Sequence, residues 1–156
     1  MLDLASSMEE GKADILGLYM ITELHKAGEL GDVDLRDYYT TFMTSVFRSI
    51  RFGASSAHGK ANMVRFNYFL DEGAFIRDSA TGRYRVDYEQ MEDAMTGLSR
   101  LLLTLQGDGD YDGAAKLTRE KGVISAQLQD DLDRLTGAQI PVDITFRQGV
   151  AELGIE

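Results

Sequence analysis

Asp34-Leu35-Arg36-Asp37-Tyr38-Tyr39-Thr40-Thr41-Phe42-Met43-Thr44-Ser45-Val46-Phe47-Arg48-Ser49-Ile50 is the stretch that decides the fold class. Its apolar and aromatic residues fall at 35, 38, 39, 42, 43, 46, 47 and 50, the three-and-four spacing of a helix with a wide apolar face. The helix begins near Asp32 or Asp34 and Gly53 stops it, and the width of its aromatic stripe predicts a central position. Upstream, Leu4, Met8, Ile15, Leu18, Tyr19 and Leu24 form one stripe, which predicts a helix from an Asp3 N-cap to about Ala27, closed by Gly28. Downstream, a third helix runs from about Ala57 to Leu70 with Met63, Phe66, Phe69 and Leu70 inward, ending at Asp71-Glu72-Gly73.

The period then changes. Ala74-Phe75-Ile76-Arg77-Asp78 and Arg83-Tyr84-Arg85-Val86-Asp87 alternate apolar and polar residues around Ser79-Ala80-Thr81-Gly82, which reads as a short β-hairpin. Helices follow from about Tyr88 to Leu105, Tyr111 to Lys121 and Ser125 to Leu135, and the tail Ile140–Phe146 is expected to be extended. The fold class is therefore mainly α, a multi-helix domain with one small β-hairpin.

The chain has 156 residues, enough to bury roughly 70% of its unfolded surface in one core, and no internal repeat or linker-like segment divides it. Residues 1–156 are expected to form a single domain. Sixteen basic against 26 acidic residues give a net charge of −10, which repels phosphate backbones and anionic membranes, so neither nucleic acid nor membrane is an expected partner. The absence of cysteine excludes disulfides, thiolate zinc sites and a cysteine nucleophile and agrees with a reducing compartment. No signal peptide or apolar span is written at the amino terminus, and a cytoplasmic location is expected.

Two segments carry residues suited to chemistry. Glu9-Glu10-Gly11-Lys12-Ala13-Asp14 lies on the first helix, where Glu10 and Asp14, four apart, share a face and call for a neutralising cation or basic side chain. One of them could ligate a metal while the other orients a neighbour; spacing alone favours a solvated acidic patch. His58 stands in the loop Gly53-Ala54-Ser55-Ser56-Ala57-His58-Gly59-Lys60 at a predicted helix start, a place where an imidazole and free backbone amides can face a developing negative charge. A histidine that caps its own helix is the commoner reading of the same pattern. Ser55 and Ser56 lack the elbow of a nucleophilic serine. Arg48, Arg51, Lys60 and Arg65 concentrate positive charge, either to grip a peptide or to pair with Glu9, Glu10 and Asp14. Asp108-Gly109-Asp110-Tyr111-Asp112-Gly113 begins like a calcium loop, but Lys116 and Arg119 stand where oxygens are needed, so it reads as a turn with Asp112 as a helix cap.

Taken in order, EEGKADILGLY, FRSIRFGASSAHGKANMVRFNYFLDEG and the tail IPVDITF resemble the carboxyl-terminal part of the dipeptidyl peptidase III family of zinc peptidases, including its bacterial and Nudix-associated relatives. The resemblance spans most of residues 6 to 75 and thins afterwards. It implies the helical zinc-binding lobe of that family as the fold, Glu10 as a zinc ligand, Glu9 and Asp14 as acids just outside it, and His58 as the histidine that stabilises the transition state. It also implies a peptide substrate, which Arg51 and Lys60 of the basic cluster are expected to bind.

The family's other zinc helix, with two histidines about a glutamate, has no counterpart here: His25 and His58 stand thirty-three positions apart. The zinc site is therefore expected to form only with the missing histidines, supplied by an amino-terminal lobe or a companion chain, and the isolated chain is expected to be inactive. A helical binding module that has lost catalysis, or a companion subunit, is the alternative.

Overall fold

A computed structural model describes residues 2–143, 146–150 and 152–154, among which the chain forms six helices and one hairpin. In order these are α1 (Leu2–Lys26), α2 (Leu35–Ile50), α3 (Ala57–Asp71), β1 (Phe75–Arg77), β2 (Tyr84–Val86), α4 (Tyr88–Gly107), α5 (Tyr111–Lys121) and α6 (Ala126–Gly137). Short polar side chains set most of the starts by accepting from otherwise unpaired first-turn amides. Asp34 caps α2, Ser56 caps α3, Asp87 caps α4 and Ser125 caps α6. At the end of α1 the chain turns left-handed at Gly28, with φ of 78°, and the Glu29 amide returns to the Leu24 carbonyl at 3.0 Å.

Two expected caps differ. Asp3 lies inside α1, which already includes Leu2. Asp110 rather than Asp112 caps α5, its Oδ1 accepting from the Gly113 amide at 2.9 Å, because the helix starts one residue before Asp112 and leaves that carboxylate in its first turn.

The central helix is α3, not α2. It packs against α1, α2, α4, α5 and β1, and its Met63, Phe66 and Phe69 are fully buried. Helix α2 buries Tyr39, Met43, Val46 and Ile50, while Tyr38 and Phe42 stay half-buried beside a cleft, because α1 and α2 meet only sparsely. A wide apolar stripe reports what a helix can bury; it does not report how much of that face a neighbour covers. Helix α1 shows the same effect: Leu24 is exposed, and the place inward is taken by Thr22, whose hydroxyl donates to the Leu18 carbonyl at 3.0 Å and lies 3.1 Å from the Tyr39 hydroxyl.

The hairpin pairs Phe75 with Val86, Ile76 with Arg85 and Arg77 with Tyr84, antiparallel. Phe66 of α3 sits among three rings at its base, with centroids 5.8 Å from Phe47, 5.9 Å from Phe75 and 5.7 Å from Tyr84. Asp131 ties α6 to the hairpin: it accepts from Arg77 Nε at 2.6 Å and Nη2 at 2.9 Å, from the Tyr84 hydroxyl at 2.8 Å and from Arg134 Nη1 at 3.2 Å.

Beyond α6 the described residues of the expected extended tail form no strand. Ile140 and Pro141 follow the helix end and Val142 and Asp143 bend, while Ile144 and Thr145 lie outside the described residues. No described helix is long and apolar enough to cross a membrane.

Candidate functional site

The candidate residues converge where α1 crosses α3. Small residues make the close approach possible: Gly11 is buried, and a Cβ added there would stand only 3.8 Å from the Ala61 Cβ and 3.7 Å from Leu102 Cδ1. Glu10 and Asp14, on the flank of α1 beside Gly11, therefore reach side chains of α3. His58 Nδ1 lies 3.1 Å from Glu10 Oε2, with both side chains open to solvent at 68% and 42% exposure. Glu10 accepts from the Nδ1–H, which orients the ring and leaves Nε2 as its other hydrogen-bonding atom.

One turn along, Asp14 accepts from Arg65, whose other terminal nitrogen donates to Asn62 Oδ1. The Arg65 side chain is 3% exposed and stacks over the Phe42 ring with its central carbon 5.9 Å from the centroid. Burial pushes the Arg65 pKa down and the Asp14 carboxylate opposes that shift. Both acids of the pair on α1 thus find partners on α3: the Arg65 guanidinium opposite Asp14, and the His58 imidazole opposite Glu10.

The loop that carries His58 depends on one glycine. Ser56 Oγ accepts from the Gly59 amide at 3.0 Å, and a Cβ on Gly59 would come within 2.2 Å of the Gly53 carbonyl oxygen and 3.0 Å of the Ala54 Cα. Because those neighbours are backbone, Gly59→Ala must push the loop away from α3; we expect a cost of about 1–3 kcal/mol. A thermal melt checks this, and an unchanged melting temperature would show that the loop yields freely.

The remaining candidates lie apart from this pair. Glu9 faces α4, accepting from Lys12 Nζ and from Gln106 Nε2 at 2.7 Å; the Lys12 bond, then the Gln106 bond, holds its carboxyl below the usual range. Arg51 spends its fork on the tail, donating to the carbonyls of Ile140 at 2.6 Å and Pro141 at 2.8 Å, and Arg48 pairs with Asp143 at 2.8 Å. Lys60 is exposed on the first turn of α3 and has no ion-pair partner among the described residues. The basic cluster is therefore divided: Arg65 pairs with an α1 acid, while Arg48 and Arg51 hold the tail.

Sequence reading missed Asn62 as a partner and left Arg65 undecided. The signal was present, since both stand among Met63, Phe66 and Phe69 on a helix with little exposed surface, and a polar residue inside an apolar face needs an internal partner.

No protein-family model matches the chain. Among solved structures, that of DPP III from Caldithrix abyssi is similar over 96% of this chain and 28% of its own, with 36% sequence identity and a TM-score of 0.88. Dipeptidyl-peptidase III from Corallococcus sp. strain EGB is similar over 96% of this chain and 27% of its own, at 39% identity and a TM-score of 0.86. The chain is built like one part of dipeptidyl peptidase III. Nudix hydrolase 3 of Arabidopsis thaliana is 38% identical over 148 residues, 94% of this chain and 19% of that protein. The chain thus spans under a third of the dipeptidyl peptidase III structures and about a fifth of the plant protein it matches.

Zinc, which the dipeptidyl peptidase III resemblance implies, does not fit the residues of this chain by themselves. A protein zinc site takes three or four ligands, and the described residues contain no group of three or more histidine, aspartate or glutamate side chains placed to hold a metal. His25 stands elsewhere, with Nε2 2.9 Å from the Val33 carbonyl. Asp14, although half-exposed, is engaged by Arg65, which leaves Glu10 as the carboxylate of the pair with an imidazole beside it.

Proposed function

We propose that this chain is one segment of a dipeptidyl peptidase III-like zinc peptidase, contributing Glu10 as a metal ligand and His58 as the imidazole that faces the reacting peptide, and that it is inactive alone. The observation that supports this most directly is the meeting of the two motifs: Glu10 and His58, far apart in sequence, stand 3.1 Å apart on a frame similar to dipeptidyl peptidase III over nearly its whole length. The metal would supply Lewis-acid activation of water when completed by ligands from outside this chain.

The chain's own residues have definable parts in such a site. Arg65 holds the Asp14 carboxylate in place beside Glu10, and Glu10 sets the orientation of the His58 ring. His58, with the amides at the start of α3, offers hydrogen-bond donors to an oxyanion. Lys60, on the same first turn, is placed to meet a peptide carboxylate, whereas Arg51 could do so only by releasing the tail carbonyls.

Grafting these residues into the complete Caldithrix abyssi protein in place of its matching segment tests the reading. The graft is expected to retain zinc and peptidase activity; Glu10→Ala is expected to lose the zinc, measured by metal analysis after dialysis. His58→Ala is expected to keep the zinc and lower turnover by roughly 100-fold or more. Undiminished zinc in Glu10→Ala would falsify the ligand assignment, and unchanged turnover in His58→Ala would remove that residue from the chemistry.

A further inference from the structure

The tail crosses the end of α2 where the loop to His58 begins. Arg51, the C-cap of α2, gives both arms of its guanidinium to successive tail carbonyls, Ile140 at 2.6 Å and Pro141 at 2.8 Å. Arg48, one turn earlier, meets Asp143 at 2.8 Å. One planar fork on two neighbouring carbonyls fixes where the tail crosses, which a single ammonium does not do. Between these anchors Val142 faces a cavity of about 110 Å³ that it shares with Ile50 and Gly53 at the α2 end and with Ile124 and Leu132 beside and within α6.

From Gly53 the packing leads straight to the candidate site. The Gly53 amide still donates to the Ile50 carbonyl at 2.9 Å, and its φ of 90° then turns the chain out of α2. Its own carbonyl packs on buried Gly59, the residue after His58, so closely that no Cβ fits between them. Ser56 closes the loop from the other end: its Oγ accepts from the Gly59 amide at 3.0 Å and its carbonyl from the Lys60 amide at 2.9 Å. Residues 53–60 are thus packed as one piece, and Arg51 ties that piece to the tail. A grip by Arg51 on a peptide carboxylate fits this arrangement poorly, since both terminal nitrogens are already engaged.

We propose that Arg51 is a positioning residue, which clamps the strap of residues 140–143 over Gly53 and thereby holds Gly59 and the His58 imidazole in place beside Glu10. This role rests on the function proposed above for its effect on turnover, and on the loop contacts alone for its effect on His58.

Amide hydrogen exchange and imidazole NMR of the isolated chain read the loop without metal or substrate. Arg51→Met is expected to speed exchange of the Gly59 and Lys60 amides about tenfold or more and to shift the His58 ring resonances, while the buried Leu98 and Leu102 of α4 exchange as in wild type. A chain ending at Gln139 is expected to do the same, and Arg51→Met in that shortened chain to add nothing, because the two changes remove one contact. Arg51→Lys, able to hold one carbonyl, is expected to fall between wild type and Arg51→Met. In the Caldithrix abyssi graft, Arg51→Met is expected to lower kcat roughly 10- to 100-fold with KM unchanged, whereas loss of a peptide-binding arginine raises KM. Unchanged exchange at Gly59 and Lys60, equally faster exchange at Leu98 and Leu102, or a raised KM with kcat unchanged overturns the clamp. Faster loop exchange in the isolated chain beside an inactive wild-type graft, or beside unaltered turnover in an active one, upholds the clamp on His58 and counts against the function proposed for that residue, so the two failures are distinguishable.

Discussion

Phe66→Ala is expected to cost about 4 kcal/mol, the largest single loss in the protein, and to lower the melting temperature by roughly 10 °C. Phe66 is fully buried on the central helix, and its ring joins three elements at once: Phe47 of α2, Phe75 of β1 and Tyr84 of β2. Truncation removes the transfer free energy of a phenyl group and leaves a void that flanking rings, held by their own contacts to Phe69 and the hairpin, can fill only in part. Thermal and urea melts check this against Phe146→Ala, whose ring is 71% exposed and whose loss is expected to change stability by less than about 0.5 kcal/mol. A drop below about 1 kcal/mol for Phe66→Ala would mean that the hairpin docks independently of α3.

The second large effect is at Asp131, and it depends on pH. Asp131 is 5% exposed and accepts from both arms of the Arg77 fork, from the Tyr84 hydroxyl and from Arg134. The Arg77 hydrogen bonds above all, with help from Tyr84, pull its carboxyl down to about 2; the same contacts raise the pKa of Arg77, and burial together with the carboxylate raises that of Tyr84. Asp131→Asn is expected to cost about 2–3 kcal/mol at pH 7, because the mutant amide offers Arg77 one acceptor in place of a carboxylate. A carboxyl whose folded pKa lies below its unfolded value of about 3.9 stabilises the fold fully above the unfolded value, and that stabilisation is lost as pH falls through the folded one. The gap between wild type and Asp131→Asn should therefore be constant from pH 7 to about 5, narrow below pH 4 and close near pH 2. Urea midpoints across that range measure it. A gap that persists undiminished at pH 2 would show that the carboxylate charge is not what holds α6 to the hairpin.

Much of the fold was legible in the sequence because the signals are local. Helix periodicity, the Asp34 start, the Gly28 stop and the alternation around Gly82 place the six described helices and the hairpin within a few residues. The candidate residues were legible as motifs on those elements. What escaped was their partners. The basic cluster of residues 48 to 65 reads as one feature in sequence, yet it divides in space, because Arg65 points into the α1–α3 contact while Arg48 and Arg51, on the other side of the loop, meet the tail.

The sequence by itself therefore determined the elements, their order and the chemical character of each face, since these follow from hydrogen bonding and side-chain spacing within a few turns of backbone. Only the tertiary structure decided that α3 rather than α2 is the centre, that Glu10 meets His58 while Asp14 meets Arg65, and that the apolar faces of α1 and α2 remain partly uncovered. Those facts depend on which helices cross and how closely, and crossing is settled by the summed packing of distant residues, such as Gly11 against Ala61 and Phe66 among its three rings, which no short window of sequence contains.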